Sequence, residues 1–295
     1  MTPTAQMVGD PASVTSEWDA LADRTGARPW LRPGWVLAWQ RAFGGRRGRL
    51  ELACVREGAR MRAVLPLVRT GATVATPANS ETPFFGALAD DEDDLEMLAG
   101  FLVESRYRRV TLWPFEKDDA LDVLVAASTQ RGYACLARST GRSPFVPVHD
   151  DWDAYRATLR SKMLSDARRR RRRLEERGEV RFEIEDGTRD LGRRLGEVFS
   201  VEAAGWKGRK GTAIANRAPA RAFYEDVCAW ASQRGILRLA FLRFEGRAVA
   251  FDLSFEEGGV HYLLKTSFDP QFATYGPGVL IRLEMIKRAF VEGLD

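Results

Sequence analysis

The residues of this 295-residue chain that could do chemistry fall in its C-terminal half. Leu263-Leu264-Lys265-Thr266-Ser267-Phe268-Asp269-Pro270 reads as the end of a strand. It leads through a polar loop to Tyr275-Gly276-Pro277-Gly278 and an amphipathic helix. The first N–H groups of a helix lack partners and its dipole is positive there, so this turn can hold an anion. Its glycines would let a phosphate approach the backbone; an ordinary helix cap fits the same pattern. Asp252 interrupts the apolar strand Ala248-Val249-Ala250-Phe251-Asp252-Leu253. A period of two places it with Ala248 and Ala250, opposite Phe251 and Leu253, lining a groove or facing solvent. His261 and Tyr262 begin the next strand. Lys265, near its end, can pair with an acceptor anion or with Asp252.

Other chemistries are disfavoured by composition. Two histidines (His149, His261) and three widely spaced cysteines (Cys54, Cys135, Cys228) supply no zinc cluster. No nucleophile elbow flanks either histidine. The cysteines read as reduced core residues, which predicts a cytoplasmic protein without a metal. No run approaches the ~18 apolar residues of a membrane span. Residues 1–13 lack the basic and apolar regions of a secretory signal and read as a flexible tail.

The elements that must position these residues follow from periodicity. Glu17 to Arg24 and Pro33 to Phe43 are predicted helices, followed by a hairpin of Leu50 to Arg56 and Met61 to Val68. An acidic run, Asp90 to Asp94, opens a helix whose dipole it complements. Arg109 to Phe115 and Tyr133 to Ala137 are predicted strands around a helix from Lys117 to Arg131. Trp152 to Arg177 reads as one long helix. Then come the strand Val180 to Glu185, helices over Thr188 to Ala204 and Pro219 to Arg234, and three strands over Leu237 to Phe244, Ala248 to Phe255 and Val260 to Thr266. Pro277 to Val291 is the last helix. Leu50-Glu51-Leu52-Ala53-Cys54-Val55-Arg56 is matched by Leu237-Arg238-Leu239-Ala240-Phe241-Leu242-Arg243. Two copies of one α/β unit, or the shared alternation of any two hairpins, would give that match.

Six consecutive arginines, Arg168 to Arg173, suggest nucleic acid when read as a string. As a helix they wrap more than a turn. Leu159, Met163, Ala167 and Leu174 form an apolar stripe, so Arg170 or Arg171 must lie along it. Such an arginine buries its stem and pairs its guanidinium with a carboxylate or a bound anion. The chain's net charge is +4, and residues 160–181 alone carry ten positive and four negative side chains. The rest is therefore at 4 − 6 = −2, and the basic character belongs to one helix and its flanks.

The segment Glu202-Ala203-Ala204-Gly205-Trp206-Lys207-Gly208-Arg209-Lys210-Gly211-Thr212-Ala213-Ile214 resembles the E-x-x-x-W-K-G-x-x-G-T-A-I signature of CelD-like acyltransferases. These are a branch of the GNAT superfamily related to the Fem peptidoglycan-bridge transferases. Ser161-Lys162, the Lys265 to Pro270 strand end, the Pro277-Gly278 turn, Trp35 to Phe43 and Ala63-Val64-Leu65-Pro66-Leu67 are similar to the same family.

The resemblance implies an α/β (α+β) fold of tandem GNAT-like units, residues 14–149 and 150–295, with mixed central sheets flanked by helices. It implies acetyl-CoA or a longer acyl-CoA as co-substrate. The acceptor would be an amine, on a small molecule or a cell-envelope precursor. Tyr275, Gly276, Gly278 and Val279 occupy the place where that fold holds the CoA pyrophosphate. Glu202 is implied as base or amine-orienting carboxylate, and Asp252, from its place in the apolar strand, is a second candidate carboxylate. Tyr262 and Tyr275 are candidates to protonate the leaving thiolate. Trp206, Lys207, Lys265 and His261 are candidate acceptor contacts, and Arg170 and Arg171 anion contacts. The Fem relationship also allows an aminoacyl-tRNA donor, with tRNA on the arginine helix. A degenerate, non-catalytic binding module in polysaccharide synthesis or export is the other expectation. It arises because the family continues past Pro277–Val291 with further strands, which predicts a second unit lacking them.

Overall fold

The computed structural model describes residues 2–46, 48–115, 119–149, 151–205, 208 and 210–294. It divides into two compact units, Met1–Arg142 and Ser143–Asp295. The division falls inside the irregular stretch 133–149, earlier than the expected boundary. Tyr133 to Ala137, a predicted strand, lies in that stretch and pairs with no sheet; Leu136 is exposed.

The first unit is built on a sheet in the order β1 (Thr4–Val8), β2 (Arg49–Glu57), β3 (Arg60–Thr70), β4 (Thr73–Ala75), β6 (Arg109–Thr111), with β5 (Leu88–Ala89) also on β3. Its pairs are antiparallel except β4 with β6, so the sheet is mixed. Residues 4–8 were expected in a flexible tail. Instead they cover the edge of β2, turning the half-buried Ala5 and Met7 to one side. Helices α1 (Thr15–Arg24), α2 (Pro33–Phe43), α3 (Glu92–Glu104) and α4 (Asp119–Gln130) complete the unit. Pro33 opens α2, where its missing N–H costs nothing. Trp18, Trp35, Trp39 and Phe85 are enclosed in the core. Asp91 caps α3 by accepting from the Asp94 N–H at 3.0 Å, and Asp94 takes Arg62 on both oxygens. The acidic run is thus spent on a helix start and its ion pairs.

In the second unit the predicted long helix breaks into α5 (Trp152–Thr158) and α6 (Ser161–Glu175). Leu159 is extended (φ −77°, ψ 147°). No glycine or proline forces this. Tyr155 stacks on Phe290 with ring centroids 4.9 Å apart, and Trp152 meets the same ring at 6.1 Å. Aromatic docking overrides the helical run.

After α6 come β7 (Val180–Glu185), α7 (Leu191–Ala204), α8 (Ala218–Gln233), β8 (Leu237–Phe244), β9 (Arg247–Glu257), β10 (Val260–Phe268) and α9 (Pro277–Glu292). The sheet runs β10-β9-β8-β7, antiparallel throughout. Ala240, Leu242 and Ala250 pack with Ile281 and Met285 of α9 on one face. Phe255 meets Trp230 of α8 on the other. The two hairpins noted in sequence, β2–β3 and β8–β9, each carry a register shift at the same step of the repeat, Val55/Arg56 and Leu242/Arg243. An extra residue kept at one place in both copies supports duplication over shared alternation.

Of the three cysteines, Cys54 and Cys228 are buried and Cys135 is exposed. Burial pushes the Cys54 thiol up to about 11 and raises Cys228 as well. A thiol reagent at pH 8 is expected to label Cys135 alone in the native protein and all three after denaturation. Rapid native labelling of a second thiol, counted by mass, would contradict this packing.

Candidate functional site

A cavity of about 730 Å³ opens in the second unit beside the start of α9. Tyr155 lines it from α5, Leu159 from the break after it and Met163 from α6, Thr266, Ser267 and Phe268 from β10, and Gly278, Val279, Arg282, Leu283 and Ile286 from α9. A bulge in β10 sets this arrangement. The register with β9 shifts between Leu263 and Lys265. Past it, Thr266 stands opposite Asp252 on the α9 face, and Phe268 follows two residues on. Lys265 consequently lies on the far face, its Nζ 5.6 Å from the Tyr224 ring centroid. The expected Lys265–Asp252 pair does not form, because Asp252 pairs with Arg282.

The turn before α9 has the predicted anion-binding form. Gly276 adopts a left-handed conformation (φ 59°, ψ 47°) and is the N-cap. Pro277 has no N–H, so Gly278 offers the first donor of the helix. Arg170 reaches this turn from α6; a Cβ on Gly276 would lie 2.6 Å from its Nη1. Arg170 is half-buried. Arg171 is occupied, donating from Nε to Glu175 at 2.9 Å and pairing with Glu284 of α9. Tyr275 accepts from Arg177 at 2.9 Å.

Charged residues run along the α9 face of β9. Asp252 is fully enclosed, correcting its expected place on a groove or in solvent. Alternation tells which residues share a face, not what covers it. Burial raises its carboxyl above the usual range, partly offset by Arg282 and Thr266. Four residues on, Glu256 takes Arg288, the Arg238 Nε at 2.7 Å and the His261 Nδ1 at 2.9 Å. Burial alone would raise its pKa, but the bonds from His261 and Arg288 outweigh it and hold the carboxyl down at about 2.

The predicted site residues are thus only partly gathered. Gly278 and Val279 line the cavity, and Gly276, Tyr275 and Arg170 form the turn beside it. Glu202, on the last turn of α7, is 2 % exposed and accepts the Ile214 N–H at 2.7 Å, holding the 3₁₀ turn Ile214–Asn216. Gly205, three residues later, reaches the cavity. Tyr262 stands opposite Phe255 and His261 opposite Glu256, both half-buried and away from the cavity lining. Trp206 and Lys207 lie outside the described residues. Arg282, Thr266 and Phe268 were not anticipated. The signal for the wall was a second apolar stripe on the last helix, Val279, Leu283 and Ile286, in addition to Ile281 and Met285.

Residues 161–295 match the sequence family described as the acetyltransferase (GNAT) domain. No curated protein matches the chain by sequence. Two solved structures share its fold. One is the C-terminal domain (DUF2156) of a protein assigned as a lysylphosphatidylglycerol synthetase from Agrobacterium fabrum. It is 15 % identical with a TM-score of 0.54, over 97 % of this chain and 76 % of that one. The other is a conserved protein of unknown function from Bacteroides thetaiotaomicron, 12 % identical with a TM-score of 0.50, over 95 % and 83 %. Among the described residues no group of potential ligands could hold a metal ion, and no helix is long and apolar enough to cross a membrane. The sheet and glycine turn of the second unit lie within the residues that match the acetyltransferase (GNAT) domain, and this match supports an acyltransferase.

Proposed function

We propose that the second unit transfers an acyl group from acyl-CoA to an amine, as the CelD-like resemblance implies. The observation that carries this reading is Arg170. Its guanidinium sits half-buried over Gly276, with no carboxylate partner among the described residues, where an unpaired helix N–H opens onto an apolar cavity. A cation, a helix N-terminus and a backbone bare of Cβ are the parts a phosphate needs. These residues fit a diphosphate at the turn, with Gly278 and Arg170 holding it and the acyl portion lying against Phe268 and Val279. Among the described residues β10 is an edge strand, so an extended amide-bearing arm can add to it. The thioester supplies the activated acyl group. The chain's part is to align the amine with it and to exclude water. The acceptor belongs to amines of small molecules or of cell-envelope precursors.

Calorimetry with coenzyme A tests the donor. Micromolar binding is expected, weakened about tenfold in Arg170→Met, as the loss of one charge-assisted bond predicts. Absence of heat with the wild-type protein overturns the reading.

A second reading, aminoacyl transfer from tRNA, draws on two observations. Arg168, Arg169, Arg172 and Arg173 are exposed on α6, and the first structural neighbour is assigned as an aminoacyl-lipid synthetase. It requires tRNA binding that falls steeply with salt.

A further inference from the structure

Among the described residues lining the cavity, Arg282 alone is charged. It stands one turn beyond Gly278 on the same side of α9. Its Nη2 donates to Asp252 Oδ1 at 3.1 Å, and its Nη1 lies 3.1 Å from Oδ2. The Arg282 side chain is 30 % exposed, that of Asp252 not at all. A fully buried carboxylate in an apolar sheet is no bargain for stability, since hydrophobic residues in place of such a pair often do as well or better. What the pair achieves is geometric. One guanidinium nitrogen is hydrogen-bonded to Asp252 Oδ1 and a second lies beside Oδ2 as an ion pair without a hydrogen bond, so the planar group is held against the wall with N–H groups to spare.

That fixes the kind of molecule the cavity suits. Around Arg282 the wall is Leu159, Met163, Phe268, Val279 and Leu283. A wholly apolar occupant would cover the guanidinium and leave its remaining donors unsatisfied in a dry site, a costly outcome. A fully polar one would waste the rest of the wall. We propose that Arg282 determines specificity in this cavity, binding the carboxylate or phosphate oxygens of a substrate whose remaining bulk is apolar, with Asp252 as its positioning residue. The inference rests on the cavity being the transferase's substrate site, but not on acyl-CoA being the donor.

Decanoate and 1-decanol, which share a chain and differ in the head group, are the probes, with coenzyme A titrated separately. The wild-type protein is expected to bind decanoate at least about tenfold more tightly than 1-decanol, the scale of one charge-assisted bond. Arg282→Met should remove that preference and leave coenzyme A affinity unchanged. Arg282→Lys should restore part of it, because a point charge attracts but does not grip in two places. Where Arg282→Met alone unfolds the unit by stranding Asp252, the double variant Arg282→Met/Asp252→Leu carries the same expectation without the buried charge. Equal wild-type affinities, or a preference that survives both variants, overturn the proposal. So does an equal fall in coenzyme A affinity, which would place Arg282 on the donor. A wild-type protein that ignores coenzyme A but prefers decanoate defeats the donor reading and leaves this one standing.

Discussion

Glu256→Ala is expected to cost the second unit about 3 kcal/mol, the lower end of what breaking a buried ion pair costs. The carboxylate is 8 % exposed and is shared by Arg238, Arg288 and His261, from β8, α9 and β10. Removing it leaves Arg238, Arg288 and His261 facing one another with Glu292, on Arg288, as the remaining counter-charge. The lower end applies because Arg238 and Arg288 retain 24 % and 15 % exposure and recover some hydration. Urea melts report the effect as a lower midpoint. A shift under about 0.5 kcal/mol, the range of ordinary surface substitutions, would mean Arg238, Arg288 and His261 find other partners.

The same carboxylate gives stability a pH signature. Its folded pKa, about 2, lies below the unfolded value of 4.5. Its contribution is therefore fully present above pH 4.5 and is lost as pH falls from there towards 2. Allowing for solvent screening of the partly exposed arginines, the loss is about 1–2 kcal/mol. Glu256→Gln should be less stable than wild type at pH 6, and the gap should close towards pH 2.5. Parallel curves would show that Glu256 is not held in its charged form.

Gly276→Val is expected to have the largest effect on donor binding. The residue sits at φ 59°, where a β-branched side chain is strained. The cost to folding is about 1–2 kcal/mol. The added Cβ also falls 2.6 Å from Arg170 Nη1, so the guanidinium must leave the turn. Coenzyme A affinity should drop at least about tenfold, as in Arg170→Met, and the double variant should be little worse than Gly276→Val alone. Additive losses would mean Arg170 and Gly276 do not act at one place. Gly278→Ala is the folding control: its φ is ordinary and its Cβ would meet Phe268 Cδ1 at 3.4 Å, so stability should hardly change.

Much of the architecture was legible because periodicity reports local structure directly. Pro33–Phe43 and Val180–Glu185 have the predicted limits. The glycine turn before α9 was readable because αL residues and helix starts have their own chemistry. Less legible was whatever depends on partners distant in sequence. β1 exists because the edge of β2 needs cover. α5 parts from α6 because Phe290 draws two aromatic rings to it. Asp252 was visible as an anomaly, yet its partner, thirty residues on, looked like any helical arginine. Lys265 does not meet Asp252, because a bulge inverts the alternation behind it, and nothing in Leu263-Leu264-Lys265 announces a bulge.

The break at Leu159 makes one wall of the cavity a separate body. Helix α5 has no buried residue and meets α9 through two aromatic contacts. Two such contacts are worth on the order of 2 kcal/mol beyond the area they bury, far less than global unfolding, so this wall is the part of the unit best placed to open locally. Opening there would leave the sheet undisturbed, since the two ring contacts join α5 to α9 alone. The reverse also holds: an occupant touching Tyr155 and Leu159 seals the opening behind it. Its measured affinity then includes the free energy of ordering seven residues of wall.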